Sequence, residues 1–328
     1  MAATQTTEQW DAAWTHTMRA KRKRLTDNIS DSYPTIDAMR KKGRMEIETG
    51  GKEIQEDLMY GLNTSEWFDG YDILNTDAVD GITAAFYQFR YNATPITISM
   101  TEEMENRKAD RAQKLLTSKT SQSMTTSFDT INAALHTAST GKAIVGLPDI
   151  ADDASGTTVG GIDSGSETWW ENERLDFGTT YTGDFDAVTG TLYNATSAMG
   201  ALWNQVSEGN DKPDLLITTH NEYGKYESIF EGTGHYRFES TKGSPGLNGD
   251  NPTFRGASII PDRDCAADTL YMLQTKYLKL KVMSGLNFAK TPFKEPANQQ
   301  AKVAFVLVGL QLTTNNRRRQ GVLYNIVA

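Results

Sequence analysis

Apolar and polar positions begin to alternate at Met45, with Met45 and Ile47 on one side and Glu46 and Glu48 on the other. The pair Gly50-Gly51 follows, then Lys52-Glu53-Ile54. Such a pattern predicts a strand, a tight glycine turn and a second strand. Alternation returns at Tyr87, Phe89 and Tyr91, with Gln88 and Arg90 facing the other way, and continues through Ile96 and Ile98. Between these strands, residues 58–81 are rich in Gly, Asn, Asp and aromatic side chains. Half-polar strands around such a stretch make a weak core of their own. The pattern therefore predicts a hairpin that projects and uses a partner surface, although an ordinary edge hairpin fits it equally well.

Helical spacing takes over after Ser99. Ser99 with Glu102 forms a candidate capping box, Thr101 is an alternative cap, and Glu102 and Glu103 suit a helix N-terminus. Ala112, Leu115, Leu116, Met124, Phe128, Ile131 and Leu135 then keep a helical period almost to Gly141, a helix of about 60 Å. The Ser/Thr-rich residues 117–127 are poor helix formers and predict a kink or break.

Beyond Gly141 the chain turns loop-rich and acidic, which marks a second domain. Within it, residues from Leu192 to Val206 carry one apolar helical face. Leu215-Leu216-Ile217 reads as a buried strand, and a short helix bears Tyr223, Tyr226 and Phe230. Residues 231–252 form a long polar loop. Strands return at 257–260, 269–273, 277–282, 303–312 and 322–326. Strands at both ends with a helical unit between imply that the terminal strands rejoin the first domain.

At about 150 residues per domain, 328 residues suggest two. The 33 Lys+Arg against 42 Asp+Glu give a net charge of −9, a poor match to a dedicated binder of nucleic-acid phosphates. The longest apolar run, 303–312, falls short of the roughly 20 residues of a membrane span, and the start does not read as a signal peptide. Two basic runs, Arg19 with Lys21, Arg22, Lys23 and Arg24, and Arg40 with Lys41, Lys42 and Arg44, mark the first forty-odd residues as an arm. They are read as a solvated helix face, the alternative being contact with an acidic surface or nucleic acid.

Catalytic patterns are missing: there is no G-x-S-x-G, no phosphate loop with its lysine, no H-E-x-x-H and no C-x-x-C. Cys265 has no basic neighbour in sequence, and four scattered histidines lack metal-ligand spacing. Asp149, Asp152 and Asp153, or Asp184 with Asp186, miss the glycine and terminal glutamate of a calcium loop. No catalytic, cofactor or metal residue is assigned. Trp169-Trp170 is read as a domain anchor ahead of a stacking platform. Arg317-Arg318-Arg319 joins two strands, and is read as pairing with a neighbour's acids or as solvated.

In this order the elements resemble a tailed-bacteriophage major capsid protein, a fold shared with encapsulin shells and the herpesvirus capsid floor. The residues that carry the resemblance begin with Gly50-Gly51-Lys52-Glu53-Ile54, Gly70-Tyr71-Asp72 and Ile96-Thr97-Ile98-Ser99, followed by Thr101-Glu102-Glu103 opening the long helix. Further on stand Val159-Gly160-Gly161-Ile162-Asp163, Trp169-Trp170, Phe254-Arg255-Gly256-Ala257, Ile260-Pro261-Asp262 and Leu270-Tyr271-Met272-Leu273 before Lys276-Tyr277-Leu278. The resemblance spans almost the whole chain, and the order of the motifs is more specific than any one of them.

It implies an α+β capsid fold with four parts. These are an N-terminal arm (1–44), an extended β-hairpin loop (45–98), a peripheral domain with a long spine helix and long strands (99–140 and about 277–316), and an inserted axial α+β domain (141–276 and about 317–328). In that family the extended loop lies over an adjacent subunit. The implied function is a non-enzymatic head protein that self-assembles into hexamers and pentamers of an icosahedral shell around packaged double-stranded DNA. Scaffolding, portal and decoration proteins are implied partners, with assembly in the bacterial host cytoplasm and no membrane. The short arm suggests a separate scaffolding protein. Candidate intersubunit contacts are Arg19, Arg22, Arg24, Gly50, Gly51, Lys52, Tyr60, Tyr71, Tyr87, Phe89, Tyr91, Arg317, Arg318 and Arg319. An encapsulin-like compartment is the alternative, and an enzyme using the acidic middle domain is a more distant one.

Overall fold

The computed structural model describes residues 33–106, 109–181, 183–189, 192–233, 252–297 and 299–326. Its first elements are helix α1 (Pro34–Lys41) and strands β1 (Met45–Glu48), β2 (Glu53–Met59), β3 (Ile82–Gln88) and β4 (Arg90–Ser99). Helices α2 (Met100–Glu105) and α3 (Ala109–Leu135) follow. The fold is α+β, built around two large sheets.

The first sheet joins β1 and β4 to strands from the C-terminal part, Leu278–Met283, Ala289–Lys290 and Ala301–Thr314. The last of these pairs antiparallel with β4 from Ala301↔Ser99 to Leu310↔Arg90, then with Leu278–Met283. Strand alternation sends Ile96, Ile98, Ala304 and Val306 to one face, where they bury against Ala112, Leu116 and Met124 of α3. The second sheet has six strands in the order Thr253–Phe254, Ala257–Pro261, Leu215–Thr218, Leu270–Leu273, Gly321–Tyr324 and Glu173–Asp176. Helix Asn194–Val206 packs Ala198, Met199, Leu202 and Val206 onto it.

Three expectations are corrected. β1 does not turn back at Gly50-Gly51 to pair with β2. It runs parallel to Leu278–Met283 (Met45↔Leu280, Ile47↔Val282), while β2 pairs with β3 from Glu53↔Gln88 to Met59↔Ile82. Charge gives the reason: Glu46 meets Lys279 at 3.1 Å and Glu48 meets Lys281 at 2.9 Å, whereas β2 offers no cation. With β1 and β4 in the body sheet, the hairpin itself is only residues 53–88.

The long helix is split, and not where composition predicted. The Ser99/Glu102 capping box forms, and α2 ends at Asn106, whose amide donates to Glu102 O at 2.9 Å. α3 then runs unbroken through the Ser/Thr stretch for about 40 Å. Hydroxyls there bond carbonyls four residues back (Thr117 to Gln113 at 2.8 Å, Thr120 to Leu116 at 2.7 Å), and Ser123 reaches Pro95 O of β4 at 3.0 Å. The small polar side chains bring helix and strand close together, and that tertiary contact overrides a weak propensity.

The second basic run is not a solvated face. Pro34 occupies the first turn of α1, Asp37 the N-terminal half and Arg40 and Lys41 the last turn, as the helix dipole favours. Both cations close on buried Asp37, at 3.1 and 2.7 Å, and Lys42 reaches Asp214 at 2.6 Å. Tyr33, Ile36 and Met39 share one core with Ile131, Leu215, Leu280 and Leu312, so α1 wedges the two sheets together. Arg19, Arg22 and Arg24 of the first run lie outside the described residues.

Candidate assembly surface

The hairpin has a buried inner side. Ile54 and Leu58 of β2 and Ala85 and Tyr87 of β3 cluster with Phe89, Val159 and Trp170. The Tyr87 hydroxyl donates to Thr314 O at 3.0 Å, and burial raises its pKa. Phe86 N–H donates to Gly160 O at 2.9 Å. Gly160 has φ of 62°, and a Cβ there would stand 2.8 Å from that of Ala85. The Gly160-Gly161 pair thus serves hairpin docking.

Charge clamps the same contact. Lys281, almost fully buried, holds Glu56 of β2 at 2.7 Å and Glu48 of β1 at 2.9 Å, while the Thr313 hydroxyl donates to Glu56 at 3.1 Å. Burial alone would lower the Lys281 pKa; the bonds to Glu56 and Glu48 outweigh it and raise the pKa. Trp170 anchors as expected, its indole donating to Val159 O at 3.0 Å. Trp169 stacks on Tyr60 with ring centres 4.8 Å apart, where the hairpin leaves the body.

Among the described residues nothing covers the other side. Tyr60 N–H bonds Gly81 O at 2.9 Å, pinching the chain, and residues 61–80 beyond this pinch form no helix or strand. Leu62 is 81% exposed and Ile73 97%, Trp67 and Tyr71 are fully exposed, and Phe68 is largely so. Met59, Ile82 and Phe86 extend the apolar exposure along the outer side of the strands. Single exposed apolar residues are ordinary, but this concentration marks an interaction surface. Residues 53–88 also carry eight Asp or Glu and no Lys or Arg. Among the described residues only Glu56 of these eight has an ion pair.

The sequence candidates therefore divide. Tyr71 and Tyr91 are exposed, Tyr60 is partly so, and Gly50, Gly51 and Lys52 sit on an exposed link. Tyr87, Phe89 and Arg317 are buried inside the chain and present nothing to a neighbour. Arg317 instead donates to the carbonyls of Ile150 at 2.8 Å, Asp149 at 2.9 Å and Thr157 at 3.2 Å, bolting that loop to the second sheet's last strand. Arg319 pairs with Glu208. Arg318 remains mostly exposed, 3.5 Å from Glu173. Sequence reasoning missed Leu62, Trp67, Phe68 and Ile73; the signal was their density in a stretch otherwise made of Gly, Asn and Asp.

A hydroxyl, an imidazole and a carboxylate do meet in the core. Thr35 donates to Asp262 at 2.7 Å and lies 2.9 Å from His136 Nε2, which is itself 3.3 Å from Asp262. Asn132 donates to Asp262 at 3.1 Å. Both partners approach the same ring nitrogen while Nδ1 is unpartnered, and every member is buried, so the geometry is not that of a nucleophilic triad. It staples α1 to α3 and to the second sheet. Burial would raise the Asp262 pKa, but hydrogen bonding and charge from His136, with bonds from Asp264 N–H and Thr35, push it well below the carboxylate range. Burial raises the Cys265 pKa to about 12, which makes a poor nucleophile. Asp149 is occupied in accepting the Ser139 and Gly146 N–H groups. Among the described residues no group of three or more His, Cys, Asp or Glu could hold a metal, and no helix is long and apolar enough to cross a membrane.

The fold is that of capsid subunits seen in phage and encapsulin structures. Similar structures include the cyanophage A-1(L) capsid asymmetric unit, with a TM-score of 0.67 at 16% identity over 91% of this chain and 94% of that one. The capsid of a native GTA particle gives 0.62 at 9% identity over 89% and 90%. The SrpI encapsulin of Synechococcus elongatus gives 0.52 at 11% identity over 87% and 86%. No protein-family model and no curated protein matches the sequence.

Proposed function

We propose that this chain is a major capsid protein of a tailed phage, whose copies assemble into hexamers and pentamers of an icosahedral shell enclosing double-stranded DNA. One observation carries the reading: a hairpin clamped at its inner side exposes Leu62, Trp67, Phe68, Tyr71 and Ile73. Many modest contacts of this kind, repeated around a closed shell, give a stable particle through multivalency. In this reading residues 53–88 are the extended loop, 89–140 with 277–316 the peripheral domain, and 141–276 with 317–328 the axial domain, while α1 packs between the two sheets. The reading assigns no catalysis. Scaffolding, portal and decoration proteins act on the shell, which forms in the bacterial cytoplasm and ends in the virion.

Electron microscopy and sedimentation of the purified protein test the reading. Closed particles are the expected result, and a monomer at every concentration would overturn it. Likeness to the encapsulin supports a second reading, a compartment for a cargo protein. Nuclease-protected DNA in the particle favours the first, and a copurifying enzyme the second.

A further inference from the structure

A pocket of about 130 Å³ opens between β4 and the C-terminal half of α3, lined by Arg90, Asn92, Thr130, Ile131, Lys142 and Leu310 among others. Its walls include buried Ile131 and Leu310, and none of its lining residues is acidic. Among the described residues, Arg90 Nε is buried without a hydrogen-bond partner. A buried arginine nitrogen without an acceptor is costly, and the guanidinium fork suits a carboxylate. The volume suits one small acidic group.

We propose that this pocket receives a carboxylate from the hairpin tip of a second copy of the chain, an inference that rests on the shell reading above. The hairpin supplies what the pocket lacks: Glu66, Asp69, Asp72, Asp77 and Asp80 are exposed and have no ion pair among the described residues. The donor is a different copy because β3 is an extended strand of seven residues. It keeps the tip about 20 Å from its end beside Arg90. Each subunit thus offers an anion at one place and a cation at another, a head-to-tail arrangement that generates a ring where the rotation between copies closes.

Charge swapping on the full chain tests this. R90Q/K142Q keeps the side chains long and neutral. It should melt as the parent does but need at least about tenfold more protein to form particles, read by sedimentation and electron microscopy. R90E/K142E should not assemble alone, and should recover when combined with E66K/D69K/D72K. If R90Q/K142Q assembles like the parent, the pocket is not the receptor, although the shell reading stands. If its particles form normally but lose nucleic acid, the pocket takes a phosphate and the proposal is overturned. A parent chain that never assembles removes both readings.

Discussion

Residues 33–44 and 53–88 are both rich in charge, and both read from the sequence as parts of an appendage. The structure treats them in opposite ways. The first turns every cation from Arg40 to Lys42 onto an acid of the same chain and buries Tyr33, Ile36 and Met39 between the two sheets. The second buries one side and leaves seven acids and a run of large apolar side chains in water. Charge density therefore does not identify an interaction surface. What distinguishes the two is whether the chain itself supplies the counter-charge and the apolar cover.

Excising the hairpin tip is the sharpest way to break this comparison. Gly61 and Gly81 already touch, since a Cβ on Gly81 would lie 2.6 Å from Gly61 O, so residues 62–79 can be replaced by a short Gly-Ser turn. The variant should melt within a few degrees of the parent and form no particles by electron microscopy. If particles form, the exposed tip is not the assembly surface.

On the buried side, Asp262→Ala should cost about 3–5 kcal/mol in chemical denaturation, because it strips the carboxylate from Thr35, Asn132 and His136. Lys281→Met leaves Glu56 buried without its cation and should cost about 3 kcal/mol, with proteolysis of the hairpin accelerated ahead of the body. An equal loss of protection in both regions would show that hairpin and body unfold as one unit.

Acid supplies a smaller test with a defined sign. The folded pKa of Asp262 is depressed, so its contribution is complete above the unfolded carboxylate pKa of about 3.9 and disappears as pH falls toward the folded value. The stability gap between the parent and Asp262→Ala should shrink as pH falls below about 4. The smallest effect is expected at Arg263→Gln, which removes an exposed pair with Asp129 at 2.6 Å and should leave the denaturation midpoint close to that of the parent.

Much of the fold was legible because strand alternation and helix capping are local. The Ser99/Glu102 box, the buried strand Leu215–Thr218 and the Trp170 anchor all stand as read. Pairings were less legible. β1 looked like half of a hairpin with β2, and only the distant lysines at 279 and 281 explain its place beside Leu278–Met283. Of the candidate contacts, Tyr87, Phe89 and Arg317 were misplaced because an aromatic or an arginine at a strand end carries no label for cis or trans.

By itself the sequence determined the types of element, their order and the segment that would lack a core, since these follow from periodicity and composition within a few residues. Tertiary structure alone decided which charges are spent and which remain available. Lys281 and Glu56 are 225 positions apart, yet lie 2.7 Å from each other, and burial makes their pairing obligatory. Among the described residues the hairpin tip has no such partner, and its side chains face water.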